Sequence, residues 1–185
     1  MNVMLSKTFF PQHPKAGEPT GFKEKVKNGT KRHTCRCNYD YWKDRIARLQ
    51  ERNGVLSIRQ WSGKPYEKGS HTEKVLDVPA SMVEVQRLVM RKTKDTVSEV
   101  YVEGEDGVFA KAAQYNYFAE VEGTPIDVAT LAKNDGLSLE DFKAWFNPVF
   151  DEYAKQVQLT KDGEVIEPSE LALTFAVIHF TTFRY

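Results

Sequence analysis

The chain has 185 residues, 41% of them hydrophobic, with 11 Phe, 8 Tyr and 3 Trp; this suits one packed domain over 1–185 and excludes disorder of the whole chain. The longest apolar runs, such as Leu171–Ile178, fall well short of the ~20 residues a bilayer-spanning helix needs, so no membrane partner is expected. Net charge is zero, but residues 1–96 sum to +10 and residues 97–185 to −10. The densest basic stretch, Phe22–Arg36, is fitted either to attract phosphate or to be neutralised by acidic neighbours in the fold.

In chain order, Val3–Phe10 reads as a first strand with no secretory-signal pattern. Pro11, Pro14, Gly17 and Pro19 punctuate a loop. Phe22–Asn28 is a short helix ended by Gly29, and His33–Cys37 is extended. Cys35 and Cys37 stand two apart on that segment, where a disulfide would be strained; a reducing cytoplasm is the expected location. Tyr39–Arg52 is the clearest helix, with Asn38 as cap and Trp42, Ile46 and Leu49 as its apolar stripe. Val55–Trp61 alternates as a strand does, and a polar loop over Ser62–Lys74 follows. Val75–Val78, Val83–Leu88 and Val97–Val102 are further strands, and Gly104–Gly107 is a turn into Val108–Tyr117. Thr124 caps and Pro125 opens a helix over Ile126–Lys133. Ser138, with Asp141 three residues on, caps a second helix that carries Phe142, Trp145 and Phe146 on one face. A turn at Lys161–Gly163 precedes the apolar strand Leu171–Phe180. Many strands, few helices and short connections predict an α+β domain built as a mixed β-barrel with flanking helices, the last strand in its interior.

One constellation carries chemistry. From Gly29 the chain reads Gly-Thr-Lys-Arg-His-Thr-Cys-Arg. Gly29 suits a left-handed exit from the helix. Thr34 and Arg36, two apart, share a face if extended, and a turn after Gly29 would bring Lys31 to the same site. An amine, a hydroxyl and a guanidinium would then meet at one cavity, unless Lys31 and Arg36 are plain surface cations. Trp61 and Tyr66 could stack on a base or serve as core and loop anchors. His33, Cys35 and Cys37 alternate as soft ligands would, but no fourth ligand or second cluster accompanies them, so no metal is expected. No phosphate loop, dinucleotide fingerprint or nucleophile elbow is present, and no cofactor is expected.

Gly29, Lys31, Thr34 and Arg36 match all four fixed places of Gly-x-Lys-x-x-Thr-x-Arg, and by this motif the chain resembles the ASCH family of the PUA-like superfamily. Leu56–Tyr66, Asn134–Ser138 and His179–Tyr185 resemble longer bacterial ASCH proteins in the same order. The resemblance implies a PUA-like mixed β-barrel and a partner that is RNA or a modified nucleoside. Some relatives are implied to be amidohydrolases on 4-acetylcytidine, using the motif Lys and Thr with a later Glu. Here Thr34 would be the nucleophile, Lys31 its base and Asp135 the carboxylate, with Gly29, Arg36, Trp61 and Tyr66 contacting substrate. Asp135 is one methylene shorter than the family Glu, and it reads equally as a turn residue before Gly136. The alternatives implied by the family are a non-catalytic RNA-binding module and a ribonuclease.

Overall fold

The most apolar segment of the sequence takes the most enclosed position in the fold. In the computed structural model, which describes residues 1–94, 100–103, 109–112, 115–157, 159–161, 164–166 and 168–185, this segment is β12 (Glu170–His179). It runs antiparallel between β2 (His33–Cys37) and β5 (Glu84–Lys94). Phe175 to His179 are buried without interruption. Successive side chains of a strand face opposite ways, so both faces of the sheet are covered there. The sheet continues through β8 (Tyr115–Val121) to β9 (Thr124–Ile126), in the order β2-β12-β5-β8-β9.

A second sheet pairs β1 (Asn2–Leu5) in parallel with β3 (Val55–Trp61), and β3 antiparallel with β4 (Thr72–Pro79). Two short hairpins complete the strands: β6 (Val100–Glu103) with β7 (Phe109–Ala112), and β10 (Leu159–Lys161) with β11 (Glu164–Ile166). The expected turn at 104–107 and the residues 162–163 of the later turn lie outside the described residues.

Among the described residues four α-helices flank the sheets. They are α1 (Phe22–Lys27), α2 (Tyr39–Glu51), α3 (Val128–Asn134) and α4 (Leu139–Val157). Asn38 caps α2 by accepting the Tyr41 amide at 3.2 Å, and Ser138 accepts that of Asp141 at 3.1 Å at the start of α4. Phe142, Phe146 and Phe150 point inward from α4, and the Phe146 ring meets Phe175 of β12 edge-on at 5.2 Å. Trp145 instead turns towards Phe9, Phe10 and Phe22. No described helix is long and apolar enough to cross a membrane.

The architecture is therefore mixed α+β, but the described strands form open sheets and not the closed barrel that the sequence suggested. The reason lies at the outer edge of β2. Its Cys35 amide donates to the Asp135 carboxylate at the end of α3, 3.2 Å away. A helix terminus thus covers an edge that a further strand would otherwise use. Where β2 approaches β1, a side chain makes the link: Arg36 Nη2 donates to the Met4 carbonyl at 2.5 Å.

Two element boundaries also differ from expectation. Thr124–Ile126 is an edge strand and not the start of a helix, because Glu122 and Gly123 (φ 49° and 80°) make a two-residue turn that folds it back on β8. Pro125 tolerates the edge because it has no amide to pair. Asp127, not Thr124, caps α3, accepting the Ala129 and Thr130 amides. The first strand stops at Leu5, since Phe9 is drawn into the aromatic cluster and its amide bonds to Glu18.

Candidate functional site

The motif lies in the connection from α1 to β2, and that connection is stitched to the end of α3. Gly29 takes φ 77°, the left-handed conformation that releases the chain from α1. The Lys31 amide then donates to the Lys25 carbonyl at 2.8 Å, and the Arg32 amide to the Asn134 carbonyl at 2.8 Å. The orphan carbonyls of α3 attract cations, as helix C-termini do. Lys31 Nζ donates to the Asp135 carbonyl at 2.5 Å, and Lys25 Nζ to that of Gly136 at 2.8 Å.

Lys31 also meets the Asp135 side chain, with Nζ 2.7 Å from Oδ1. Lys31 is 1% exposed and Asp135 4%, so this is a buried ion pair. The ammonium lies 4.3 Å from the centroid of the Phe22 ring, a favourable cation–π position. Burial pulls the Lys31 pKa below its ordinary value against the attraction of Asp135. Burial pushes Asp135 up, but Lys31 and His33 outweigh it and hold the carboxyl below its usual range.

The pair continues into a polar chain. Asn134 Nδ2 donates to the Tyr185 hydroxyl at 3.2 Å. That hydroxyl lies 2.7 Å from His33 Nε2, within hydrogen-bond distance. His33 Nδ1 lies 3.9 Å from Cys35 Sγ and faces Asp135 Oδ1 at 3.6 Å. That is beyond hydrogen-bond length, so Asp135 orients the ring by charge. His33 is fully buried and burial lowers its pKa despite Asp135. His179 packs edge-on to it at 5.5 Å. Among the described residues neither ring nitrogen of His179 has a hydrogen-bond partner.

The sequence-derived residues therefore divide. Lys31 and Asp135 come together. Thr34 is buried on β2 opposite Ile178, and among the described residues no hydrogen bond joins its hydroxyl to Lys31. Arg36 is committed to Met4, across the seam between the sheets. Trp61 and Tyr66 touch each other, with centroids 5.1 Å apart. Among the described residues no hydrogen bond, ion pair or ring contact ties them to Lys31 or Asp135. Tyr66 is 91% exposed, so it anchors no core. Lys31 and Thr34, expected to line an open cavity with Arg36, are only 1% and 2% exposed.

Most cations of the Phe22–Arg36 stretch have a partner, although Lys27 and Arg32 remain exposed. Lys23 pairs with Glu73 at 2.6 Å and Lys27 with Glu24 at 3.3 Å. Lys25, Lys31 and Arg36 bond as described, and Arg32 stacks on Phe183 at 5.2 Å.

His33, Cys35 and Asp135 each offer a donor atom, all within 4.8 Å of one another. A metal ion there would share Asp135 with the Lys31 ammonium, so the cluster already carries its counter-cation. Both cysteines are free thiols, and burial raises the Cys35 pKa, keeping the better-placed ligand protonated.

His33 and Tyr185 carry much of the site; the sequence marks His33 only as a soft ligand beside Cys35 and Cys37, and it does not single out Tyr185. The signal available was that His33 occupies a variable place inside the motif and Tyr185 ends a segment that also resembles the family. Comparison with protein-family models, curated proteins and solved structures found no match.

Proposed function

We propose that the chain is a PUA-like ASCH domain that binds RNA or a modified nucleoside and hydrolyses the acyl amide of a 4-acylated cytidine. The observation that supports this reading is the meeting of the motif lysine with a carboxylate 104 residues away, at 2.7 Å and out of water. On this reading the two open sheets are halves of a PUA-like barrel, joined at the Arg36–Met4 seam.

The chemistry follows from the groups present. After the Lys31 ammonium has given up a proton to solvent, Thr34 Oγ1 attacks the acyl carbonyl as the neutral Lys31 amine takes the hydroxyl proton. The carbon–nitrogen bond then breaks, and the proton passes to the leaving cytosine N4. Water cleaves the acyl-threonine, releasing the carboxylic acid and restoring the hydroxyl. Burial moves Lys31 towards the pKa a neutral-pH base requires. Asp135 positions it, and on substrate binding Lys31 turns from Asp135 towards Thr34.

A second reading, a non-catalytic RNA-binding module, is favoured by one observation: Lys31 gives its hydrogen bonds to Asp135 and none to Thr34. Acetate release from 4-acetylcytidine separates the two. If the chain is the enzyme, Thr34→Ala and Lys31→Ala each remove most turnover, by similar factors and without adding, because nucleophile and base act as one unit. Absence of acetate release by the wild-type protein, with nucleoside or RNA affinity intact, leaves the binding module.

A further inference from the structure

The cations of α2 are placed differently from those of the motif segment. Tyr41, Arg45, Arg48 and Arg52 follow at spacings of four, three and four, which puts them on one helical face. All four side chains are exposed, Tyr41 by 46%. They line a cleft of about 620 Å³ whose wall includes Val55. Its only carboxylate among the described lining residues is Asp44. Arg45 donates to the Tyr41 hydroxyl and stands 5.2 Å from that ring. Among the described residues Arg48 and Arg52 have no ion pair or side-chain hydrogen bond. The guanidiniums of Arg48 and Arg52 are thus left to solvent in a concave surface, with Arg45 held beside them by Tyr41.

Such guanidiniums seek anions that accept two parallel hydrogen bonds. Arg45 to Arg52 spans about 10 Å of helix at ~1.5 Å per residue. That is on the order of three phosphate-to-phosphate steps along the axis of a stacked strand, at ~3.4 Å of rise each. An acidic peptide would offer carboxylates at comparable spacing, but it would leave the exposed Tyr41 ring unused. An aromatic held among arginines is the arrangement on which an unpaired base stacks.

We propose that this face of α2 binds single-stranded RNA, with Arg45, Arg48 and Arg52 on its phosphates and Tyr41 under one base. The inference rests on the RNA part of the reading above and uses a surface separate from Lys31 and Asp135.

The test is fluorescence anisotropy with a labelled single-stranded RNA of about 12 nucleotides, titrated from about 50 to about 200 mM salt. The variant carrying Arg45→Gln, Arg48→Gln and Arg52→Gln binds more weakly, and its slope of log affinity against log salt is shallower by about 2, at roughly 0.7 per lost phosphate contact. Tyr41→Ala weakens binding roughly tenfold, as loss of one stacked base does, and leaves the slope unchanged. All four positions are exposed, so thermal unfolding of these variants stays at the wild-type midpoint. RNA binding by the triple variant with wild-type affinity and slope overturns the inference and leaves the RNA reading standing. No RNA binding by the wild-type protein at low salt overturns both. Poly-glutamate bound at the cleft as tightly as RNA, with Tyr41→Ala silent, makes the face a surface for acidic protein and also overturns the inference.

Discussion

A lysine that is 1% exposed is stable only if something repays the loss of its hydration, which is worth several kcal/mol even after relaxation. Asp135 supplies the opposite charge, its own carbonyl a second acceptor, and Phe22 a π face. Such pairs are asymmetric: removing one partner strands the other charge, whereas removing both does not. Lys31→Met and Asp135→Asn are each expected to destabilise the fold by about 3–5 kcal/mol in urea titrations. The double variant should lose less than half the sum, because the carboxamide introduced by Asp135→Asn would still accept the Cys35 amide and no charge would remain buried. Additive losses would mean that the two residues do not act as a pair. The motif spacing marked Lys31 and the ordered resemblance pointed to Asp135, but among the described residues no hydrogen bond joins the side chains of Lys31, Thr34 and Arg36, which the motif also grouped. The rest of the site was hidden for physical reasons. His33 and Tyr185 are 152 residues apart, and nothing local couples them. Arg36 reads as a ligand contact until the fold shows a strand edge for it to bridge.

At the scale of elements, the site exists because the end of α3 is held against the edge of β2. Two glycines shape that junction with nearly the same backbone angle. Gly29 has φ 77° and Gly136 φ 79°, a region in which other residues are strained by about 1–2 kcal/mol. Their surroundings differ. A Cβ on Gly29 would meet nothing within 4 Å, whereas one on Gly136 would lie 3.1 Å from Lys31 Cβ and 3.4 Å from Lys25 Cδ. Gly29→Ala should therefore show the backbone strain alone. Gly136→Ala should lose more, because it displaces the stem of a lysine that has no room to move. Equal losses, read from denaturant midpoints, would rule out close packing at Gly136. The elements around this junction were legible wherever a period repeats: β2, β3 and α2 follow their alternation or stripe almost to the residue. β9 was missed because Thr-Pro also signals a helix start, and the Glu122–Gly123 turn that decides the matter spans only two residues. The covered edge of β2 was likewise illegible. Strand periodicity shows which face is apolar but not which neighbour takes the edge amides.

Across the whole molecule, the basic first half and acidic second half neutralise each other by docking. Lys31 pairs with Asp135, Lys15 with Asp141 at 2.8 Å, Lys92 with Asp151 at 2.9 Å and Arg91 with Glu120. The same junction buries two imidazoles, and their charge sets how stability varies with pH. Burial lowers the pKa of His33, and it lowers that of His179 to about 3, helped by His33 and Arg184. In the unfolded chain both return to about 6.5. As pH falls below that value, the unfolded chain binds protons that the folded chain refuses, so stability must fall. For His179 the slope approaches about 1.4 kcal/mol per pH unit and persists down to about pH 3; His33 acts in the same direction. Asp135 acts in the same direction at lower pH. Its folded pKa is depressed, so its contribution is complete above the unfolded value of about 3.9 and is lost as pH falls through the folded one. Urea unfolding at pH 7, 5.5 and 4 should thus show a steady loss of stability that begins near about pH 6.5, well before the carboxylates titrate. His179→Phe separates the histidine effect from the rest. It removes two buried nitrogens that have no hydrogen-bond partner among the described residues and substitutes a ring of similar size between Phe183 and Tyr185. It should leave stability at pH 7 equal or higher, and it should reduce the slope between about pH 6.5 and 4, one buried imidazole having been removed. A wild-type stability that is flat over that interval, or a His179→Phe variant with an unchanged slope, would show that His179 is not held neutral by the fold.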